Sequence, residues 1–496
     1  MTSGSAVREP LLAAPPLVTQ LGQALRDAGV VYCQWKGHLR RQRWASGEGD
    51  IDLLIDPSSA PAFTAVLGRL GFHATLPAAD ERIPGVESFF GYDPRLARLL
   101  HVHAHYRLVV GRAWASTYRL PLERALLATA VERSPFPIPQ PVFEFVVLVL
   151  RSILGRSLRQ DLGRTAPRWL DGVHDQVRHF AAQVDLKAVH ELLQRDLPCI
   201  EPALFDACLN ALRPGFSPWR RALLRRRVVW RLRPFAQGPA LSDTIMRIAR
   251  QLGRRRSPQG KRLARGGTTI ALLGADGSGK STCTTQLYRW LSPTFDTLTA
   301  HMGRPPRSLF TLVVGGLLRL RTALWTLTSR REETERDRSR DPDGDPNVFP
   351  GYLALLRHVC TARDRYLLYL RIRRFATAGG VALAERYPIE QNYALAGPCV
   401  RNFVELAPNR RFATLLRAAE EWYYRQMLPP DHMIVLRVDP ELAVRRKTTE
   451  PSDYVRRRAR IVWDVDWRGT SAQVVDAGRP LGDVLADLKT IVWSAL

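Results

Sequence analysis

The first residues that could do chemistry stand at Gly274-Ala-Asp276-Gly277-Ser278-Gly279-Lys280-Ser281-Thr282. An apolar run from Thr268 leads into this GxxxxGKS spacing, and a helical pattern from Cys283 to Leu291 leaves it. Polyphosphate binding requires that order. The glycines let backbone N–H groups turn inward around phosphate oxygens, and the N-terminus of the following helix adds its dipole. Lys280 reaches the β- and γ-phosphates, and the Ser281 hydroxyl ligates Mg2+. A chain of this composition should hold on the order of 0.003 chance matches. Gly274, Gly277, Ser278, Gly279, Lys280, Ser281 and Thr282 are therefore the expected nucleotide-binding residues, with ATP and Mg2+ as cofactors. The loop alone does not choose between kinase, GTPase and ATPase.

Three further groupings carry reactive side chains. Gly380-Val-Ala-Leu-Ala-Glu385-Arg386-Tyr387 ends an apolar run in a carboxylate and a guanidinium. Glu385 can hold a metal ion through water, and Arg386 can clamp a phosphate. Arg445, Arg446, Lys447, Arg456, Arg457 and Arg458 form a basic cluster that can supply cations to a moving phosphoryl group. Near the N-terminus, Lys36-Gly37 precedes Asp50-Ile-Asp52. Residues i and i+2 share a strand face, so Asp50 and Asp52 project together and can bridge metal ions. On His101-Val-His103-Ala-His105, three imidazoles share one face, where they could instead bind a transition metal.

The loop in its form Gly-x-Asp-Gly-x-Gly-Lys-Ser-Thr resembles thymidylate kinases, and later segments agree in order. Glu385-Arg386-Tyr387 is similar to that family's Asp-Arg-Tyr triplet. Met433 to Lys447 is similar to the strand and helix before its lid, and a charged stretch to Arg460 to the lid itself. Val474-Val-Asp476-Ala-Gly is similar to its closing strand and helix. The resemblance covers about residues 268–496. It implies that Lys280, Glu385, Arg386, Arg445, Arg446 and Arg456 serve catalysis, that Asp276 and Arg304 contact the acceptor, and that Ser281 and Glu385 hold the metal. Some family members carry a catalytic arginine in the loop where this chain has Gly277, so the cation is expected from the lid. Trp35-Lys36-Gly37-His38 with Asp50-Ile-Asp52 resembles the start of a nucleotidyltransferase fold, which implies metal binding by Asp50 and Asp52. The third carboxylate of that fold falls at His103.

Elements to position these groups follow from the pattern. Val18 to Ala28 predicts an amphipathic helix, and Asp50–Asp56 and Leu100–Tyr106 predict strands. Val142 to about Leu252 reads as helical, broken at Pro198, Pro214 and Pro234. From Thr268 short apolar strands alternate with helices, predicting a parallel α/β sheet. Ser329 to Asn347 lacks apolar residues and is expected to stay disordered until something orders it. The expected fold class is α/β, a P-loop parallel sheet with flanking helices, plus an α+β nucleotidyltransferase-like domain with a helical extension. The expected boundaries are 17–135 for that domain, 136–252 for the extension, 253–267 for a basic linker and 268–496 for the kinase-like domain.

At 496 residues and 45% hydrophobic content, the chain can bury several cores, which excludes a disordered or disulfide-stapled class. Its net charge is +26, yet only six of its 73 basic residues are lysine. Such an arginine skew follows from a GC-rich codon pool, and nucleic acid is not the expected partner. No CxxC pair occurs among the six cysteines, which points to free thiols in a reducing cytoplasm. No secretory signal pattern opens the chain. The apolar run Leu309–Leu318 is shorter than the roughly 20 residues a membrane span needs. The expectation is a cytoplasmic ATP-dependent kinase whose partner is a nucleoside monophosphate-like acceptor, dTMP first. Peripheral contact with an anionic membrane and a homodimer stay open. The alternatives are a nucleotidyltransferase acting through Asp50 and Asp52, and a non-catalytic ATP-binding protein of a surface-polysaccharide pathway.

Overall fold

The computed structural model describes residues 16–36, 49–77, 83–111, 117–163, 166–237, 260–328, 348–393 and 397–496. The expected disordered stretch at 329–347 lies outside them, as do Gly37, His38 and residues 253–259 of the basic stretch. The chain divides into two compact units, Met1–Lys261 and Arg262–Leu496, and the division falls within that basic stretch.

In the first unit, α1 (Pro16–Asp27) buries Leu17, Val18, Leu21 and Leu25, the one-sided spacing its sequence shows. The strands β1 (Tyr32–Lys36), β2 (Asp50–Ile55), β3 (His73–Leu76), β4 (Val86–Asp93) and β5 (Arg98–His105) share a sheet in the order β1-β2-β5-β4-β3. The pair β2 and β5 is parallel, while β1 runs antiparallel to β2 and β4 antiparallel to both β3 and β5. One core holds α1, α2 (Ala60–Arg69) and the inward residues Ile51, Leu53, Val102 and Ala104. A second core surrounds α3 (Pro141–Leu154), whose residues Phe143 to Leu150 are all buried. A helix apolar on every side belongs at the centre of a packed layer. Here α4 (Leu158–Asp161), α5 (Ala166–Ala181), α6 (Leu186–Asp196), α7 (Pro202–Asn210) and α8 (Pro218–Arg231) build the helical remainder.

One buried charge ties those helices together. Asp161, with no side-chain exposure, receives Arg156 Nε at 3.0 Å and Arg225 Nη2 at 2.8 Å, with Arg221 Nη1 at 3.8 Å. Arg221 is itself buried, and Arg225 also donates to the Ile153 carbonyl at 2.9 Å.

The second unit is built on β6 (Thr268–Gly274), β7 (Thr297–His301), β8 (Val381–Glu385), β9 (His432–Arg437) and β10 (Ala472–Asp476). All pair in parallel in the order β7-β8-β6-β9-β10. Every residue of the central β6 is buried, as a strand covered on both faces must be. Flanking helices are α9 (Lys280–Leu291), α10 (Leu309–Thr328), α11 (Tyr352–Thr377), α12 (Arg410–Arg425), α13 (Pro440–Arg446), α14 (Ser452–Trp463) and α15 (Leu481–Ser494). The insertion between β7 and β8 forms α10 and α11. Large apolar side chains of α10 are exposed, Leu309, Phe310, Val313, Leu317 and Leu320 among them. Among the described residues no helix is long and apolar enough to cross a membrane.

Asp161→Ala should destabilise the first unit by about 3–5 kcal/mol, because buried Arg221 and half-buried Arg225 lose their counter-charge. The exposed Asp171→Ala should change stability by less than about 0.5 kcal/mol. Urea unfolding of the full chain, followed by circular dichroism, compares them.

Candidate active site

The phosphate loop sits at the C-terminal end of β6, the edge where open α/β sheets place their ligand crevice. Gly274, Gly277 and Gly279 have φ of 146°, 82° and 83°, backbone that only glycine adopts without strain. At Gly277 a second constraint applies, since a Cβ would lie 2.6 Å from the Ala443 carbonyl oxygen. Ala443 belongs to α13, so the place where other loops could carry an arginine is filled by a helix backbone. Ser278 is buried, and its hydroxyl has no hydrogen-bond partner among the described residues. Ser281 and Thr282 stand exposed in the first turn of α9.

Lys280 folds back over the loop and donates to the Ala275 carbonyl. Its ammonium is buried, which brings its pKa down to about 8. Arg386 and Arg458 push the same way, and Asp276 and Glu385 oppose them. The Ser281 hydroxyl donates to Glu385 Oε2 at 2.9 Å. Glu385 is delivered by the last residue of β8, in register with Leu272 of β6 on one side and His301 of β7 on the other. Burial holds His301 below its usual imidazole range.

Arg386 follows with φ of 53°, uncommon for a side chain-bearing residue. That backbone turn sends its guanidinium back to the loop, where it pairs with Asp276 Oδ1. Gly303, after β7, leaves room for the Arg386 side chain, since a Cβ there would lie 2.8 Å from Arg386 Cδ. Tyr387 anchors the turn by donating to the Leu428 carbonyl at 2.7 Å. The other oxygen of Asp276 faces Arg458 Nε at 3.0 Å. Burial opposes the Asp276 charge, but Arg386, Lys280, Arg458 and Lys447 outweigh it and hold the carboxyl below its usual range. Asp276, expected at the acceptor, is thus clasped between two guanidinium groups.

The basic cluster disperses. Arg458, on the inner side of α14, reaches the loop. Arg456 faces the other way, donating to both oxygens of Glu441 at 2.7 and 3.1 Å and to Asp453 at 2.6 Å. Arg446 donates to the carbonyls of Ala477 and Gly478, at 2.7 and 3.3 Å, and ties α13 to the turn after β10. Arg445 and Arg304 are exposed. One buried guanidinium gave no signal in the sequence. Arg365 of α11 donates to the Met302 carbonyl at 2.8 Å and to the Tyr424 hydroxyl, just beyond the end of β7. Only a charge on an inward helix position could have pointed to it.

In the first unit, Asp50 pairs in register with His101 and Asp52 with His103. His101 Nδ1 lies 2.7 Å from Asp50 Oδ1, and Lys36 Nζ lies 2.9 Å from Asp52 Oδ1. His105 Nε2 and His103 Nδ1 face that same Asp52 oxygen at 3.1 and 3.4 Å. Imidazole and ammonium surround the carboxylates here, where the nucleotidyltransferase resemblance implied a third carboxylate.

The fold and loop define the second unit as a P-loop α/β protein. No protein-family model matches the chain. Two curated relatives, the uncharacterized ATP-binding protein YghR of Escherichia coli strain K12 and of Escherichia coli O6:H1, are each 23% identical over 227 residues, spanning 45% of this chain and 86% of the relative. A solved thymidylate kinase structure from Candida albicans aligns at 18% identity with a TM-score of 0.29, over 46% of this chain and 91% of that one.

The buried ammonium gives a pH prediction. Inorganic tripolyphosphate seated in the loop favours charged Lys280, so above about pH 8 binding must draw in a proton. Measured as the ratio to Lys280→Ala, which cancels the ligand's own ionisation, affinity should fall by up to about tenfold per unit as pH rises past about 8. Calorimetry in buffers of different ionisation enthalpy counts the proton.

Proposed function

We propose that the second unit is a Mg2+-assisted phosphotransferase that moves the γ-phosphoryl group of ATP to a nucleoside monophosphate-like acceptor. The observation that carries this reading is the convergence on one loop of Lys280, the Ser281–Glu385 pair and two arginines from separate elements, Arg386 and Arg458. A GTPase or ATPase needs the loop. Cations brought from a strand end and from a helix beyond β9 suit phosphoryl transfer to any acceptor, and the choice of a second anion over water rests on the sequence resemblance. The relatives' name as ATP-binding proteins adds ATP binding, and the sequence resemblance adds the acceptor class, with dTMP the first to try.

The residues fit a nucleotide with its metal. The unpartnered Ser278 hydroxyl and the inward backbone suit phosphate oxygens, and Ser281 with Glu385 offers the hard oxygen donors that Mg2+ prefers. When bound there, Mg2+ neutralises charge on the β- and γ-phosphates. Lys280 neutralises the same phosphates from within the loop. Arg386 and Arg458 rest on Asp276 and exchange this carboxylate for phosphoryl oxygens as substrates bind, and Asp276 then faces the acceptor. Arg304, Arg445, Arg446 and Arg456 keep the roles the resemblance implies only as outer positions, since each is exposed or engaged elsewhere.

Purified chain should consume ATP with one member of a nucleoside monophosphate panel, read by coupled ADP release. Lys280→Ala should abolish that turnover with the fold retained. Arg458→Ala should lower kcat by roughly 100- to 1000-fold, and Arg456→Ala by less than tenfold. Equal losses in the two arginine variants, or turnover that survives Lys280→Ala, would overturn the assignment.

A further inference from the structure

The sheet of the first unit carries a second concentration of chemistry, unrelated to the phosphate loop. Two parallel strands in register bring Asp50 and Asp52 of β2 alongside His101, His103 and His105 of β5. Alternation puts all five side chains on one face. Within that face the ligand atoms of Asp52, His103 and His105 lie within 4.8 Å of one another. Those of Asp50, His101 and His103 form an overlapping set at the same spacing.

We propose that Asp52, His103 and His105 form a binding site for one divalent transition cation of the zinc or cobalt type. Donors around an ion at about 2.1 Å stand roughly 3–3.5 Å apart. His103 Nδ1 and His105 Nε2 already lie 3.4 and 3.1 Å from one oxygen of Asp52. Two imidazoles and one carboxylate leave further coordination positions open, as in sites that bind exchangeable ligands. The donor set excludes Mg2+ as the natural occupant, because Mg2+ takes oxygen in preference to imidazole.

The surroundings orient these side chains by packing rather than through the far ring nitrogen, since His105 Nδ1 has no hydrogen-bond partner among the described residues. His105 is buried, with Trp35 edge-on to its ring at 5.0 Å, which fixes its plane. His103 is partly open and gives access from the side of Asp50, whose Oδ2 lies 3.9 Å from His103 Nδ1. His101 fixes Asp50 by their 2.7 Å contact. A cation is already drawn to the centre, for Lys36 Nζ lies 2.9 Å from the Asp52 oxygen that the two imidazoles face. Its side chain is 28% exposed and can swing out. Lys36 arrives there through an irregularity in β1 between Gln34 and Lys36, which sets it opposite Asp52. The ammonium competes with a metal ion for one carboxylate oxygen.

The test uses the untagged full chain, stripped with chelator and titrated with CoCl2 and ZnCl2 without nucleotide, so that its outcome is independent of phosphoryl transfer. One Co2+ per chain should bind in the first unit with a visible ligand-field spectrum. His103→Ala should weaken that binding by roughly 100-fold and abolish the spectrum, with the metal-free melting temperature kept. Lys36→Ala should bind Co2+ several-fold more tightly, about the effect of removing one competing charge. His103→Asp should shift preference from Co2+ towards Mn2+ and Mg2+. A second cluster in the other unit, His358, Cys399 and Glu420, is the internal control. The site is refuted if no Co2+ binds below millimolar, if His103→Ala leaves spectrum and affinity unchanged, or if His358→Gln removes the signal instead.

Discussion

An ammonium group placed out of water needs negative charge within reach, and the phosphate loop is organised by that need. Lys280 is buried against its own loop, and Asp276 and Glu385 are the carboxylates that offset the cost. Each of these carboxylates is itself held. Glu385 accepts from Ser281, and Asp276 lies between Arg386 and Arg458. The result is a closed ring of charge from four elements: the loop, the start of α9, the end of β8 and the inner side of α14. In a chain of net charge +26 these few acids are what the inward-facing arginines pair with. The cations at the loop are gathered on a carboxylate before any polyphosphate enters.

The loop, the strand before it and the helix after it were legible, because closely spaced glycines after an unbroken apolar run leave the backbone few other courses. That the sheet around β6 is parallel was equally open to reading, though its strand order was not, and the strand ending in Glu385 sits where the pattern put it. The arginine cluster could not be resolved from spacing alone. Arg456 and Arg458 are two residues apart on a helix, about 200° around its axis, so one faces the loop and the other Glu441. Which one turns inward depends on how α14 packs, and Val455, Ala459 and Val462 set that by being buried. Arg365 was invisible for a related reason. Its partners are a backbone carbonyl and a tyrosine far away in sequence. The imidazole face of the first unit was readable as a period of two, and the resemblance set His103 on the strand beside Asp50 and Asp52, while the residue-by-residue register was not readable, since register depends on pairing.

The two units solve a common electrostatic problem with different donors. In the second, hard oxygen and guanidinium groups surround a loop built from backbone. In the first, imidazole replaces much of that oxygen, and the backbone contributes the flat alternation of a sheet. Both collect unlike charges before any ligand is present, which lowers the reorganisation that binding requires.

Contact between Gly277 and the Ala443 carbonyl oxygen carries a mechanical consequence. The rear of the loop rests on α13, and α13 is fastened through Arg446 to the turn after β10. A loop braced from behind cannot recoil alone when it is filled. Pressure from filling falls on α13 and, through the Arg456–Glu441 pair, on α14, so the helix carrying the inward arginine is coupled to the brace behind the loop and the two yield together.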